Sequence, residues 1–92
     1  MKVKDFLTKN NWTKGCFAMD INGNSVSPQD SKAYSWCLVG AIMNCYKDPL
    51  AVHKVIIKIR KKILPYKYVC EFNDNGNTAF EDIHRLIEEL DI

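Results

Sequence analysis

The chain has 92 residues, of which 47% are apolar and 26% are charged, and its net charge is +2. These values exclude a disordered chain and a chain of several domains, and no apolar run reaches the roughly 20 residues that cross a bilayer. We therefore expect one small globular domain over residues 1–92, without membrane contact, and, since the first residues lack the apolar stretch of a signal peptide, we expect it in the cytoplasm.

The first two predicted elements are short. Val3, Phe6 and Leu7 recur at spacings of three and four, which predicts a short amphipathic helix near the start of the chain. Apolar residues alternate from 17 to 21 and are followed by Asn22-Gly23-Asn24, a sequence that tolerates positive φ. This pattern predicts a small β-hairpin or a tight loop.

A central helix is predicted from about Pro28 to Tyr46. Its start signal is Ser27-Pro28-Gln29-Asp30, which combines a capping serine, a proline at the first helical position and an acid at the third. Gly40 and Ala41 lie on the predicted core face, where small residues let another element approach the backbone closely. That face also carries Ala33, Trp36, Cys37 and either Asn44 or Cys45.

The third predicted helix begins at Asp48-Pro49, which repeats the cap-plus-proline signal, and ends before Pro65. The chain is unevenly charged here: residues 47–65 contain six Lys or Arg and one Asp, whereas residues 66–92 contain two Lys or Arg and seven Asp or Glu. The outer face of the third helix is therefore a candidate binding surface. Its candidate residues are Lys54, Lys58, Lys61 and Lys62.

The last third of the chain contains a short apolar segment, a turn and a helix. Residues 66–72 are aromatic and β-branched, which indicates a short strand or a buried extended segment. Residues 73–77 form a turn cluster, and Thr78-Ala79-Phe80-Glu81 matches a capping box that opens the last helix. The predicted fold is thus α+β and helix-dominated, with about four helices, a small β-hairpin and room for one further short strand.

Cysteine and histidine spacing gives no metal or cofactor site. The four cysteines have no short C-x-x-C spacing, and we expect free buried thiols. Asp20, Asn22 and Asn24 alternate as at the start of a calcium loop, but the closing glutamate is missing, which favours a plain turn. We expect no bound metal and no cofactor.

Three segments carry a family resemblance. They are Asn11-Trp12-Thr13-Lys14-Gly15, the stretch from Ala33 to Ala41, and Phe72-Asn73-Asp74. Together they resemble an uncharacterised family of small bacterial and bacteriophage proteins, marked by W-x-x-G, W-C-x-x-G-A and a late W-N-D in which Phe72 replaces the usual tryptophan. The resemblance covers about residues 6–90 and implies a shared fold without an assigned activity. The motif residues of unknown role are Trp12, Asp20, Trp36, Cys37, Asn73 and Asp74.

These motif residues have two interpretations. As structural groups, Trp36 and Cys37 belong to a helix-packing seam, and Asn73 and Asp74 belong to a turn that caps neighbouring backbone. As a ligand site, Asn73 and Asp74 would have to converge with Trp12, Lys14 and Asp20. The sequence leaves both interpretations open.

For function, we hypothesise a small protein-interaction module, encoded by a phage or mobile element, that binds a host protein or itself. An inhibitor of host defence is one form of this hypothesis, and the chain is expected to be a monomer or a homodimer without catalytic residues. The first alternative is nucleic-acid binding by the lysine face of the third helix, which an adjacent acidic last helix would weaken. The second is a small cysteine-dependent enzyme that uses Cys37 with His53 or His84; against it, Cys37 falls about nine residues into the predicted central helix.

Overall fold

The computed structural model describes all 92 residues and contains five helices and one two-stranded antiparallel sheet. The helix-dominated α+β class is confirmed, with five helices rather than about four. In chain order the elements are α1 (Val3–Phe6), β1 (Ala18–Met19), β2 (Ser35–Trp36), α2 (Leu38–Cys45), α3 (Pro49–Lys62), α4 (Val69–Asp74) and α5 (Phe80–Leu90).

The predicted central helix is wrong in its first half. Residues 27–34 form turns, residues 35–36 form strand β2, and the helix begins only at Leu38. The cap signal at Ser27-Pro28 is overridden by tertiary contacts. Pro28 is buried and its carbonyl accepts a hydrogen bond from Trp36 Nε1 at 2.8 Å. Because this bond and the pairing of β2 with β1 need an extended chain before residue 37, the helix cannot start earlier.

The predicted hairpin is present as the pair β1 and β2, in the register Ala18 to Trp36 and Met19 to Ser35. The second strand comes from beyond the predicted turn at residues 22–24. That turn is also confirmed: Gly23 has φ +85°, and an isolated bridge joins Met19 to Ser25 across it.

Helix α3 follows the prediction closely. Asp48 is its N-cap and its carboxylate accepts from Leu50 N at 3.2 Å, while Pro49 occupies the first turn. Val55 and Ile59 are buried on the inner side. The cap, the proline and the apolar spacing act in the same direction here, so local sequence decides the helix.

The segment predicted as a strand or extended chain over 66–72 instead leads into helix α4. Asn73 and Asp74, predicted in a turn, are its last two residues. A helix places Val69 and Asn73 on one face, four residues apart, and both are buried there. Contacts made by this face outweigh the β propensity of the segment.

The cap of helix α5 lies one residue later than predicted. Ala79 is the N-cap, and Asp82 Oδ2 accepts from its backbone N at 2.9 Å. This is one half of a capping box; alanine has no side-chain oxygen for the other half. The predicted cap, Thr78, is buried instead.

One apolar cluster of 15 buried residues draws on all five helices. Helices α3 and α5 pack side by side, and Lys62 Nζ lies 3.0 Å from Glu89 Oε1 at their junction. The basic and acidic helices are therefore adjacent. The longest helix, α3, has 14 residues, and no helix has both the length and the apolar composition that a bilayer span needs.

Candidate functional site

The side chain of Asn73 joins three segments of the chain. It is fully buried, and its Oδ1 accepts hydrogen bonds from Trp12 Nε1 at 2.7 Å and from Leu38 N at 3.0 Å. Its Nδ2 donates to the carbonyl oxygen of Thr13 at 3.1 Å. Because Leu38 is the first residue of α2, this single amide caps that helix and fixes the loop at 12–13 against α4.

Asp74 and Lys14 add further hydrogen bonds between the loop that follows Trp12 and residues 74–78. Asp74 Oδ1 accepts from Gly15 N at 3.0 Å and from Asn73 Nδ2 at 2.9 Å. Lys14 Nζ donates to the carbonyls of Asn75 and Thr78 at 2.6 and 2.8 Å. These groups hold each other and the backbone, so they form a structural network.

Trp36 connects the sheet to the start of the chain. Its backbone N donates to Asn11 O at 2.7 Å, and its carbonyl accepts from Thr13 N at 2.9 Å. Its ring meets Phe6 edge-on, with the centroids 4.7 Å apart. The indole is thus held by packing and by its bond to Pro28.

Gly40 marks the closest backbone approach in this region. A Cβ added at Gly40 would lie 1.9 Å from the carbonyl oxygen of Phe17. No side chain fits, which confirms the predicted close approach at this position. We call the group Trp12, Trp36, Cys37, Gly40, Asn73 and Asp74 the motif seam.

Cys37 is the N-cap of α2, not a residue nine positions inside a helix as predicted. Its Sγ accepts from Gly40 N at 3.3 Å. Burial raises the pKa of the Cys37 thiol to about 11, which outweighs the lowering by hydrogen bonds from the helix start. The sulfur is therefore protonated at neutral pH, and a thiol is a much weaker nucleophile than a thiolate.

A cavity of about 330 Å³ opens beside this thiol. Three cysteines line it, although the sequence scatters them singly, and burial raises the pKa of Cys70 as well. The lining contains no histidine, and the structure has no cluster of His, Cys, Asp and Glu arranged to hold a metal ion. His53 and His84 lie exposed on α3 and α5. The lining residues are Gly15, Cys16, Phe17, Ser25, Cys37, Cys70 and Asp74.

Asp20, the remaining motif residue, lies outside the seam network and closes the 22–24 turn. Its Oδ1 accepts from Asn22 N and Asn24 N, both at 2.9 Å. Hydrogen bonding by the Asn24 backbone lowers the pKa of its carboxyl group. This is the plain turn that the sequence favoured.

The predicted lysine face of α3 lies on the side of that helix opposite to the core. Lys54, Lys58 and Lys61 are exposed there, and Lys62 is paired with Glu89. Sequence reasoning missed the apolar residues among them. Leu50, Ile57 and Leu64 follow one another at intervals of seven and are 58%, 38% and 77% exposed. We call these three apolar residues and the three exposed lysines the outer stripe. The seven-residue spacing was the available signal.

A groove of about 580 Å³ lies at the carboxyl end of the outer stripe. Arg60 is held there by a hydrogen bond from its Nε to the carbonyl of Lys67 at 3.1 Å. The Lys67 ammonium lies 5.6 Å from the ring of Tyr68, which is 55% exposed. The lining is basic and apolar, without an acid: Ile57, Arg60, Lys61, Leu64, Pro65, Tyr66 and Lys67.

Comparison with known proteins gives a family but no activity. No curated protein and no solved structure matches the chain. A family model described as a family of unknown function, DUF6197, matches residues 1–90. With nearly the whole chain covered, the protein belongs to this family of unknown function, DUF6197.

Proposed function

We propose that the chain is a small cytoplasmic protein-binding module that acts through the outer stripe of α3. The observation that supports this is the exposure of Leu50 and Ile57 on the outer side of α3, whose inner side is buried, and of Leu64 in the turn directly after the helix. Exposed apolar groups that lie together on a small domain are typical of interaction surfaces. None of the three belongs to the buried apolar cluster or to the partly buried residues packed against it.

Nucleic-acid binding is the second candidate, supported by the exposed ammonium groups of Lys54, Lys58 and Lys61. A phosphate backbone binds cationic side chains, and leucine or isoleucine adds little to its affinity. The salt bridge of Lys62 to Glu89 also removes one of the four predicted contacts. A protein partner uses both the apolar groups and the cations, so we favour it.

A cysteine-dependent enzyme has less support. The Cys37 sulfur is protonated at neutral pH and accepts a hydrogen bond from Gly40 N, and its cavity is lined without histidine. A nucleophilic cysteine normally depends on a lowered pKa or an adjacent base. We assign Cys37 a capping and packing role.

The source and the target of the module are further parts of the proposal. The motif resemblance to bacterial and bacteriophage proteins supports a phage or mobile-element origin. It also supports a host protein as the target, for which inhibition of a host defence is one outcome of binding. The module is expected to act as a monomer or a homodimer.

The test is a pull-down from bacterial lysate at low and high salt, with and without nuclease, using matched variants of the bait. Ile57→Ser with Leu64→Ser removes two apolar groups of the outer stripe. The control, Ile21→Ser, removes an apolar group of the 20–24 turn that is 75% exposed, close to the 77% of Leu64. We expect the native chain and the control variant to retain the same lysate protein whether or not nuclease is added. The double variant should no longer retain it.

Two outcomes contradict the proposal. If the double variant retains the same proteins as the native chain, the outer stripe is not the binding surface. If nucleic acid is retained at low salt only, and reversal of Lys54 and Lys58 to glutamate abolishes it, the second candidate replaces the first.

A further inference from the structure

We infer that the outer stripe receives an acidic amphipathic helix of the partner, laid along α3 with apolar residues at seven-residue spacing. This inference rests on the proposed function and adds the chemistry of the partner.

The length and spacing of the stripe fit a helix. Helix α3 has 14 residues, so it extends about 21 Å at the usual rise of 1.5 Å per residue. Leu50 and Ile57 are seven residues apart on α3, the spacing at which one helix presents the same face to a second helix, and Leu64 follows in the turn just beyond the last helical residue. A partner helix of about four turns would cover all three.

The charge between the apolar positions fits an acidic partner. His53 and Lys54 follow Leu50 by three and four residues, and Arg60 and Lys61 follow Ile57 in the same way. In a helix pair these positions complete the contact seam or flank it. Carboxylates on the partner helix would meet them there, whereas lysines would be repelled.

The groove at the end of the stripe supplies an oriented cation. The Nε of Arg60 is already engaged with Lys67 O, which fixes the guanidinium and leaves its two terminal nitrogens to receive a carboxylate. Leu64 and Tyr66 line the same groove and can pack against an apolar side chain. An acidic residue next to an apolar one therefore fits this end.

A second copy of the chain is a poor occupant. Its acidic helix is α5, but the apolar residues of that helix, Ile83, Leu86 and Ile87, are buried in its own core. A copy would thus offer the acid without the apolar groups. A membrane surface is also a poor fit, because it is flat while the stripe ends in a concave groove.

The experiment uses three synthetic 21-residue helical peptides with the intact chain. The first carries leucine at every seventh position and glutamate three and four residues after each leucine. The second replaces its leucines by serine, and the third replaces its glutamates by lysine. Binding is measured by fluorescence anisotropy of a labelled peptide, and helix formation by circular dichroism.

We expect the first peptide to bind and become helical, and the other two to bind more weakly by about tenfold or more. Ile57→Ser with Leu64→Ser, and Arg60→Gln alone, should each weaken the first peptide, while Ile21→Ser should not. Thermal melting of each variant separates loss of binding from loss of folding.

The inference is overturned if the three peptides bind alike or not at all. It is also overturned if the chain binds duplex DNA or vesicles of phosphatidylserine and phosphatidylcholine more tightly than the first peptide, or if sedimentation shows that the stripe variants abolish a homodimer. When the peptides fail but the stripe variants still lose the lysate protein, the inference falls while the proposed function stands.

Discussion

The motif seam and the outer stripe differ in how completely the fold accounts for them. In the seam, Asn73 is fully buried and each polar atom of its side chain has a named partner. In the stripe, Leu64 is 77% exposed and contributes little to the core. The motif residues of the seam make contacts within the fold, whereas the apolar residues of the stripe remain largely exposed and lie outside the apolar cluster.

This contrast separates two meanings of a sequence motif. A residue that no folding contact explains is a better functional candidate than a distinctive residue whose contacts are all internal. Substitutions should therefore reduce stability in the seam and binding in the stripe. Predictions for both regions test that division, and one for an ion pair at the chain ends gives a smaller effect for comparison.

The largest effect is expected for Gly40→Ala. Its new Cβ would lie 1.9 Å from Phe17 O, a backbone atom that can move only with strand β1, so we expect a loss of about 3 kcal/mol or more. The measurement is unfolding in urea. Gly76→Ala is the control, because nothing lies within 4 Å of its added Cβ, and equal losses in both variants would refute the packing argument.

The second-largest loss of unfolding free energy is expected for Asn73→Leu. It leaves Trp12 Nε1 and Leu38 N without their acceptor inside the protein, which typically costs about 2–4 kcal/mol for two such groups. The exposed Asn10, substituted by leucine, is the control. A change in unfolding free energy no larger than that of Asn10→Leu would mean that the seam is not held by this amide.

Alkaline pH should destabilise the protein through Cys37. Its pKa is about 11 in the folded chain against 9.0 for an ordinary thiol, so the unfolded chain loses this proton first. Stability is therefore fully present below about pH 9 and falls as pH rises toward 11, with an upper limit of about 3 kcal/mol from this group. Unfolding in urea under reducing conditions at pH 8, 9 and 10 measures this loss of stability.

The control for that prediction is Cys37→Ala, which should be less stable at pH 8 but should lose less stability between pH 8 and pH 10. The raised pKa values of Cys45, Cys70 and Tyr46 act in the same direction and are common to both proteins. Parallel pH curves would show that Cys37 does not carry the effect.

A smaller effect is expected at Asp91 in acid. Lys2 and Lys4 lie 2.8 and 2.6 Å from its carboxylate and lower its pKa to about 2. The stabilisation is present above the ordinary pKa of 3.8 and disappears as pH falls toward 2. Asp91→Asn should therefore be slightly less stable than the native chain at pH 6 and equal to it near pH 2, as measured by thermal unfolding.

The smallest effect is expected in the outer stripe. Leu50→Gln and Leu64→Gln should each change the unfolding free energy by less than about 0.5 kcal/mol, because both side chains are mostly exposed. Thermal unfolding of the two variants measures it. A loss comparable to that of Asn73→Leu would remove the contrast between the two regions.

Local signals were sufficient where several of them agreed. Asp48-Pro49 and the apolar spacing after it predicted α3 to within a few residues, and Asn22-Gly23 predicted the turn. The same kind of cap signal failed at Ser27-Pro28, because the bond from Trp36 Nε1 to Pro28 O joins residues eight apart in a way that a helix through this segment would not allow. No short window of sequence contains that contact.

Helix α4 and the seam show the same limit. A helix of six residues is unstable alone, so α4 depends on where Asn73 binds. Its partner Trp12 lies 61 residues away, and nothing near either residue encodes the bond. The stripe differs in this respect: its seven-residue spacing was visible in the sequence, but only the structure shows that the three residues stay exposed.

The position of the tryptophans has a practical consequence for experiments on this chain. Both indoles of the protein, Trp12 and Trp36, lie in the motif seam, and α3 has none. Intrinsic fluorescence should therefore follow the unfolding of the seam and remain nearly constant when a partner covers the outer stripe. The chain thus carries an optical reporter of its integrity that is independent of binding.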